Sequence, residues 1–124
     1  MIGSNLLLDT NVVLYFLSGD DTLVPLLGEK NIMISVITEM EILSYSLLKG
    51  KELSETKKFL NTCTVINLNK DIKEKAIAIR RKYKMNLPDC IIMATSMSLD
   101  IPLITADQDF KKIKEGNIIL YEDN

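Results

Sequence analysis

With 124 residues, 47% of them hydrophobic and 26% charged, the chain has apolar side chains enough for one core and little length for a second. It contains no histidine, which removes Ser-His-Asp hydrolases, Cys-His proteases, histidine-based ribonuclease chemistry and nearly every catalytic zinc site. A net charge of −2 with 6% aromatic residues argues against nucleic-acid binding by bulk charge or by an aromatic stacking platform, so such a partner must meet a local basic patch.

In chain order, Asn5-Leu6-Leu7-Leu8 is a short apolar run that stops at Asp9, as a buried parallel strand does. Thr10 to Leu17 reads as a helix, Asp21 to Gly28 as a second short one, and Ile32-Met33-Ile34 as the next strand. Val36 to Lys49 has helical spacing, with Gly50 placed as its C-cap. A helix over Glu52–Asn61 and a strand over Thr64–Leu68 follow, then a charged helix over Lys70–Lys84. Pro88 opens a helix running to about Leu99. Pro102-Leu103-Ile104 is a strand, Asp107–Lys112 a short helix and Ile118-Ile119-Leu120 the last strand. Short apolar strands separated by helices predict an α/β fold, a three-layer α/β/α sandwich around a mainly parallel five-stranded sheet, as one domain over residues 1–124. Cys63 and Cys90, both in apolar surroundings, are too few for a disulfide framework and read as free thiols. No basic segment precedes an apolar stretch, and the longest apolar run, Val12 to Leu17, is too short to span a bilayer. The expectation is a cytoplasmic protein with no membrane partner.

Without histidine, hydrolytic chemistry falls to carboxylates with a hard metal, or to a lysine. Open parallel sheets bind ligands at the carboxyl ends of their strands. Asp9 ends the first strand and Asp107 follows the fourth. Each also suits a helix N-cap. On a wheel of Val36–Lys49, Val36, Met40, Leu43 and Leu47 form the central apolar stripe. Glu41 falls within the widened arc of Ile37, Tyr45 and Leu48, whereas Glu39 falls toward Ser46. A carboxylate there is either paired or metal-bound, or reaches out to water from the rim. Asp89 is the only charge on a helix apolar nearly all round. Its place in the first turn suits the helix dipole as well as a site.

These stretches resemble the motifs of the PIN-domain ribonucleases, particularly the VapC-type toxins of prokaryotic toxin–antitoxin pairs. Leu7-Leu8-Asp9-Thr10-Asn11 is similar to the first acidic motif, and Ile34-Ser35-Val36-Ile37-Thr38-Glu39-Met40-Glu41 to the second. Leu87-Pro88-Asp89-Cys90-Ile91-Ile92-Met93-Ala94-Thr95 resembles the third, and Leu103-Ile104-Thr105-Ala106-Asp107-Gln108-Asp109-Phe110 the fourth. The likeness covers essentially the whole chain in order; Met93-Ala94-Thr95-Ser96 departs from it where relatives carry more alanine. It implies a metal-dependent endoribonuclease with catalytic Asp9, Glu41, Asp89 and Asp107, supported by Asn11, Thr105 and Asp109. Asp9 and Asp89, helped by Asp107, become the ligands of Mg²⁺ or Mn²⁺, since an all-oxygen donor set selects a hard ion. Glu41 becomes a group that orients the water or binds a second ion. The resemblance further implies an RNA substrate, a homodimer and a cognate antitoxin; Tyr15, Phe16 and Leu17 are spare apolar residues for an interface or for the core. Arg80, Arg81 and Lys82, at the end of the charged helix that leads into Asp89, are candidates for guiding RNA phosphates, or a solvated face. The rival readings are a catalytically silent PIN-like module that binds protein or RNA, and an α/β domain whose acids are ordinary caps.

Overall fold

Leu6, Leu7 and Leu8 are all buried, yet they serve two different cores. Side chains alternate across a strand, and in this computed structural model, which describes residues 5–21, 24–28 and 30–121, the alternation separates two layers. Leu7 packs among Ile72, Ala76, Ile79, Ile92, Met93 and Phe110 on one face of the sheet. Leu6 and Leu8 pack among Val12, Val13, Ile34, Ile42, Leu60 and Tyr121 on the other.

The strands are β1 (Asn5–Leu8), β2 (Asn31–Ser35), β3 (Thr64–Ile66), β4 (Leu103–Thr105) and β5 (Ile118–Leu120). The helices are α1 (Thr10–Leu17), α2 (Val24–Leu27), α3 (Val36–Leu43), α4 (Gly50–Thr62), α5 (Lys70–Tyr83) and α6 (Leu87–Leu99), with a 3₁₀ turn over Gln108–Lys112. All strand pairs are parallel, in the order β3-β2-β1-β4-β5. The three-layer sandwich expected from the sequence is therefore the one observed. Its central strand β1 pairs Leu7 with both Met33 and Leu103, which fixes which side chains face each layer. No helix among the described residues is long and apolar enough to cross a membrane.

Helix α5 shows why its sequence folds as it does. The Asn69 side chain accepts the Ile72 N–H at 2.8 Å, satisfying a free donor at the helix start. Ile72, Ala76 and Ile79 then form one buried stripe at helical spacing. The helix ends at Tyr83 because Lys84 turns left-handed at φ 59°, one residue before the predicted end.

The second helix is shorter than the Asp21–Gly28 expectation, covering Val24–Leu27, and residues 22 and 23 lie outside those described. The larger difference is at α3, which stops at Leu43 rather than Lys49. There the Ser44 hydroxyl donates to the Met40 carbonyl at 2.5 Å, and a serine bonded back onto its own turn competes with helix continuation. Gly50 is consequently no C-cap of that helix. It opens α4, at φ +57°, a conformation that glycine adopts without a Cβ penalty. The central stripe read from a continuous wheel also fails. Met40, Leu43 and Leu47 are 57%, 40% and 87% exposed, whereas Thr38 and Ile42 face inward. With only two turns to place, packing on α1 chooses the buried face.

Candidate active site

The sheet order reverses between β1 and β4. Beyond β1 the chain enters α1, whose Val12 and Val13 join one core; beyond β4 it enters the 3₁₀ turn, whose Phe110 joins the other. Chains that diverge from adjacent parallel strands leave a crevice at their carboxyl ends. Asp9 and Asp107 stand on its two sides.

Asp9 is the most constrained of the acids, at 3% exposure. Its backbone N–H donates to the Ile104 carbonyl at 2.9 Å, continuing the β1–β4 ladder. Its side chain caps α1: Oδ1 accepts the Thr10 N–H at 2.8 Å, and Oδ2 accepts the Thr105 hydroxyl at 2.6 Å. The same Thr105 oxygen accepts the Asp107 N–H at 3.0 Å. Asp107 in turn caps the 3₁₀ turn, Oδ1 taking the Asp109 N–H at 2.9 Å. Asn11 Oδ1 accepts the Ala106 N–H at 3.3 Å, a further tie across the crevice.

Glu41 arrives from α3. Ser35 caps that helix, accepting the Ile37 N–H at 3.1 Å. One turn on, Glu41 Oε1 accepts the Thr10 hydroxyl at 2.8 Å, and Thr38 Oγ1 lies 3.0 Å from that same hydroxyl. A continuous path thus runs Glu41–Thr10–Asp9–Thr105–Asp107.

Asp89 is supplied from the opposite layer. Pro88 lies at the start of α6, where a missing N–H costs nothing, and Asp89 falls in the first turn, half-buried. Burial raises its pKa to about 6, with Asp9, Asp107, Glu41 and Asp109 all adding repulsion. Burial also raises Asp9, opposed by its bonds from Thr105 and Thr10. The four predicted catalytic acids therefore share one electrostatic neighbourhood. None of the ion pairs among the described residues, Lys51–Glu55, Lys75–Asp71 and Lys82–Glu115, neutralises any of them.

The other predicted residues divide. Thr105 and Asn11 lie in the crevice. Asp109 is exposed and contributes its backbone N–H to Asp107, its charge reaching Asp89. On α5, Arg80 donates to the Met85 carbonyl, Lys82 to Glu115 at 3.0 Å, and Arg81 is exposed. Two of the three basic residues thus already hold protein partners. The spare aromatics are used internally, Tyr15 stacking on Tyr121 at 5.6 Å and Phe16 tilted against Phe59 at 5.0 Å. Sequence reasoning assigned no role to Thr10 or Thr38. Both sit inside the quoted motifs, but their meeting depends on tertiary packing between residues 28 positions apart.

The PIN domain family matches residues 6–116. The chain belongs to the PIN-domain family. It is similar to a chain of a toxin–antitoxin complex from Klebsiella pneumoniae, at 34% identity and a TM-score of 0.82 over 95% of this chain and 99% of that one. At 20% identity, VapBC2 from Rickettsia felis bound to a promoter DNA fragment gives a TM-score of 0.81 over 95% and 99% of the two chains. DNA-bound VapBC from Salmonella typhimurium gives 20% identity and 0.81 over 93% and 96%. These last two share the fold. No curated protein matches the chain. PIN domains are nucleases that generally use divalent metal ions.

Among the described residues, no three acidic, cysteine or histidine side chains stand arranged as a ready metal cage. The donor chemistry nevertheless fits. Mg²⁺ keeps several waters and takes one or two carboxylates rather than a full protein cage. Burial raises both Asp9 and Asp89, with Asp107 and Glu41 repelling each of them, which is the state a hard divalent ion relieves.

Proposed function

We propose that this PIN domain is a Mg²⁺- or Mn²⁺-dependent endoribonuclease, hydrolysing RNA phosphodiester bonds as the toxin of a toxin–antitoxin pair. The observation that carries the reading is the hydrogen-bonded path from Glu41 through Asp9 to Asp107, with Asp89 close enough to feel the charge of all three acids. Ordinary helix caps need no such convergence.

Asp9 and Asp89 would hold the ion, with Asp107 in support. When bound, the ion supplies an activated water and neutralises charge on the phosphate. Thr105 holds Asp9 with its carboxylate presented from the end of β1. Glu41, anchored at Oε1 by the Thr10 hydroxyl, would orient the water or hold a second ion. RNA phosphates would approach past the exposed end of α5 at Arg81. Arg80 supports the Met85 segment that leads to Asp89.

Partner binding falls elsewhere. A groove of about 450 Å³ is lined by Leu14, Leu17, Ile42, Tyr45 and Leu48, with exposed Glu52 beside it. Leu47 protrudes at its edge, 87% exposed. An antitoxin segment with apolar side chains and a basic flank suits this lining. The similarity to a chain of a toxin–antitoxin complex supports such a partner. The homodimer follows from the family resemblance, and a cytoplasmic location accords with the free thiols of Cys63 and Cys90.

The deciding experiment is cleavage of single-stranded RNA by the purified chain with Mn²⁺. Activity should vanish in Asp9→Asn and Asp89→Asn variants that retain wild-type circular dichroism. Cleavage that survives both substitutions, or that proceeds equally in EDTA, would refute the assignment.

A further inference from the structure

The residue that joins the two acids on the α1–α3 side carries no assigned role. Thr10 opens α1, and it touches Asp9 and Glu41 with different groups: its backbone N–H donates to Asp9 Oδ1 at 2.8 Å, and its hydroxyl donates to Glu41 Oε1 at 2.8 Å. A hydroxyl has one proton. With that proton committed to Glu41, the Thr10 oxygen can only accept from Thr38, 3.0 Å away. The path is therefore directed, Thr38 to Thr10 to Glu41. Thr38 is fully buried, and it stands one turn before Glu41 on the same face of α3.

Glutamate is a long side chain with several free torsions, and fixing it costs entropy that its partners must offset. Threonine suits the anchoring position because its β-branch stiffens χ1, so its hydroxyl stays aimed. We propose that Thr10 is a positioning residue that locks Asp9 and Glu41 into one acid pair, with Thr38 setting the direction of its hydroxyl. This rests on the metal-dependent reading above and adds to it the group that holds two of its acids in register.

The test is calorimetric titration of MnCl₂ into the purified chain and its variants, alongside the Mn²⁺ dependence of RNA cleavage. Asp9→Asn should abolish ion binding. Thr10→Val, which keeps the shape and removes the hydroxyl, should weaken Mn²⁺ binding about 10–100-fold, as loss of groups that orient ligands does. Thr10→Ser should restore it to within about threefold, and Thr38→Val should fall between Thr10→Ser and Thr10→Val. In cleavage, Thr10→Val should raise the Mn²⁺ concentration for half-maximal rate more than it lowers the rate at saturation. If Asp9→Asn loses the ion and Thr10→Val binds it like wild type, the positioning role is wrong and the site stands. If wild type and Asp9→Asn behave alike, the metal reading falls and takes the proposal with it. Should Thr10→Val fail to fold, Thr38→Val decides: unchanged Mn²⁺ affinity there overturns the directed path.

Discussion

Asp89 should destabilise the fold that it serves. Its carboxyl is raised from 3.8 to about 6 by burial and by four neighbouring acids. The folded chain therefore keeps this proton up to about pH 6, whereas the unfolded chain loses it near 3.8. Across that window the native state binds more protons, so stability falls as pH rises, and the full penalty is present above pH 6. A displacement of roughly 2 units at about 1.4 kcal/mol each gives about 3 kcal/mol as a ceiling. Asp89 is only half-buried, and solvent screening reduces this to about 1 kcal/mol. Asp89→Asn removes the charge without removing a hydrogen bond, since none reaches this side chain among the described residues. At pH 7.5 in EDTA the variant should melt about 3–5 °C above wild type, the shift that about 1 kcal/mol gives a domain of this size. The gain should shrink as pH falls and be gone near pH 3, where both chains are neutral at this position. Mn²⁺ should raise the melting temperature of wild type and leave the variant nearly unmoved. Differential scanning calorimetry at several pH values measures all of this. An Asp89→Asn variant that melts at or below wild type at pH 7.5 would refute the electrostatic account of the crevice.

Thr105→Val should cost about 2 kcal/mol in urea unfolding, because it strands the buried Asp9 Oδ2 and the Asp107 N–H together. The same change should push the Asp9 carboxyl still higher, measurable by NMR titration, since the Thr105 bond is the larger of the two that oppose its rise. Arg81→Ala should lower the slope of log affinity for single-stranded RNA against log salt by about 0.7, the share of one phosphate contact; an unchanged slope leaves α5 as a solvated face. Arg80→Ala should instead act through stability, by about 1–2 kcal/mol, through its charged bond to the Met85 carbonyl. Leu47→Asp should leave the melting temperature unchanged, the side chain being exposed. It should weaken binding of the proposed antitoxin partner about tenfold in calorimetry.

Much of the architecture is visible in the chain because parallel strands buried on both faces leave an unbroken apolar signature, as at Leu6-Leu7-Leu8. Asp9 and Asp107 could be placed for the same reason: each follows such a run directly. Glu41 was reached by a route that only partly holds. The wheel set it near Ile37 and Leu48, but α3 ends before Leu48, and its exposed residues include Met40 and Leu43. Glu41 is half-buried and bonded because α1 brings Thr10 to it, a contact that no periodicity encodes. The basic end of α5 illustrates the converse limit. Arg80 and Lys82 look like a ligand surface in sequence, yet a carbonyl five residues on and a glutamate 33 residues on occupy them.

The bond between Thr105 and Asp9 spans 96 positions, and this has a consequence for synthesis. A chain still emerging from the ribosome can build α1 and pair β1 with β2, yet it carries Asp9 without the strand that orients it. The site is assembled only once β4 has docked at the other edge of β1. A fragment that stops short of Thr105 should therefore leave Asp9 Oδ2 without its hydroxyl donor, however well β1 and β2 pair.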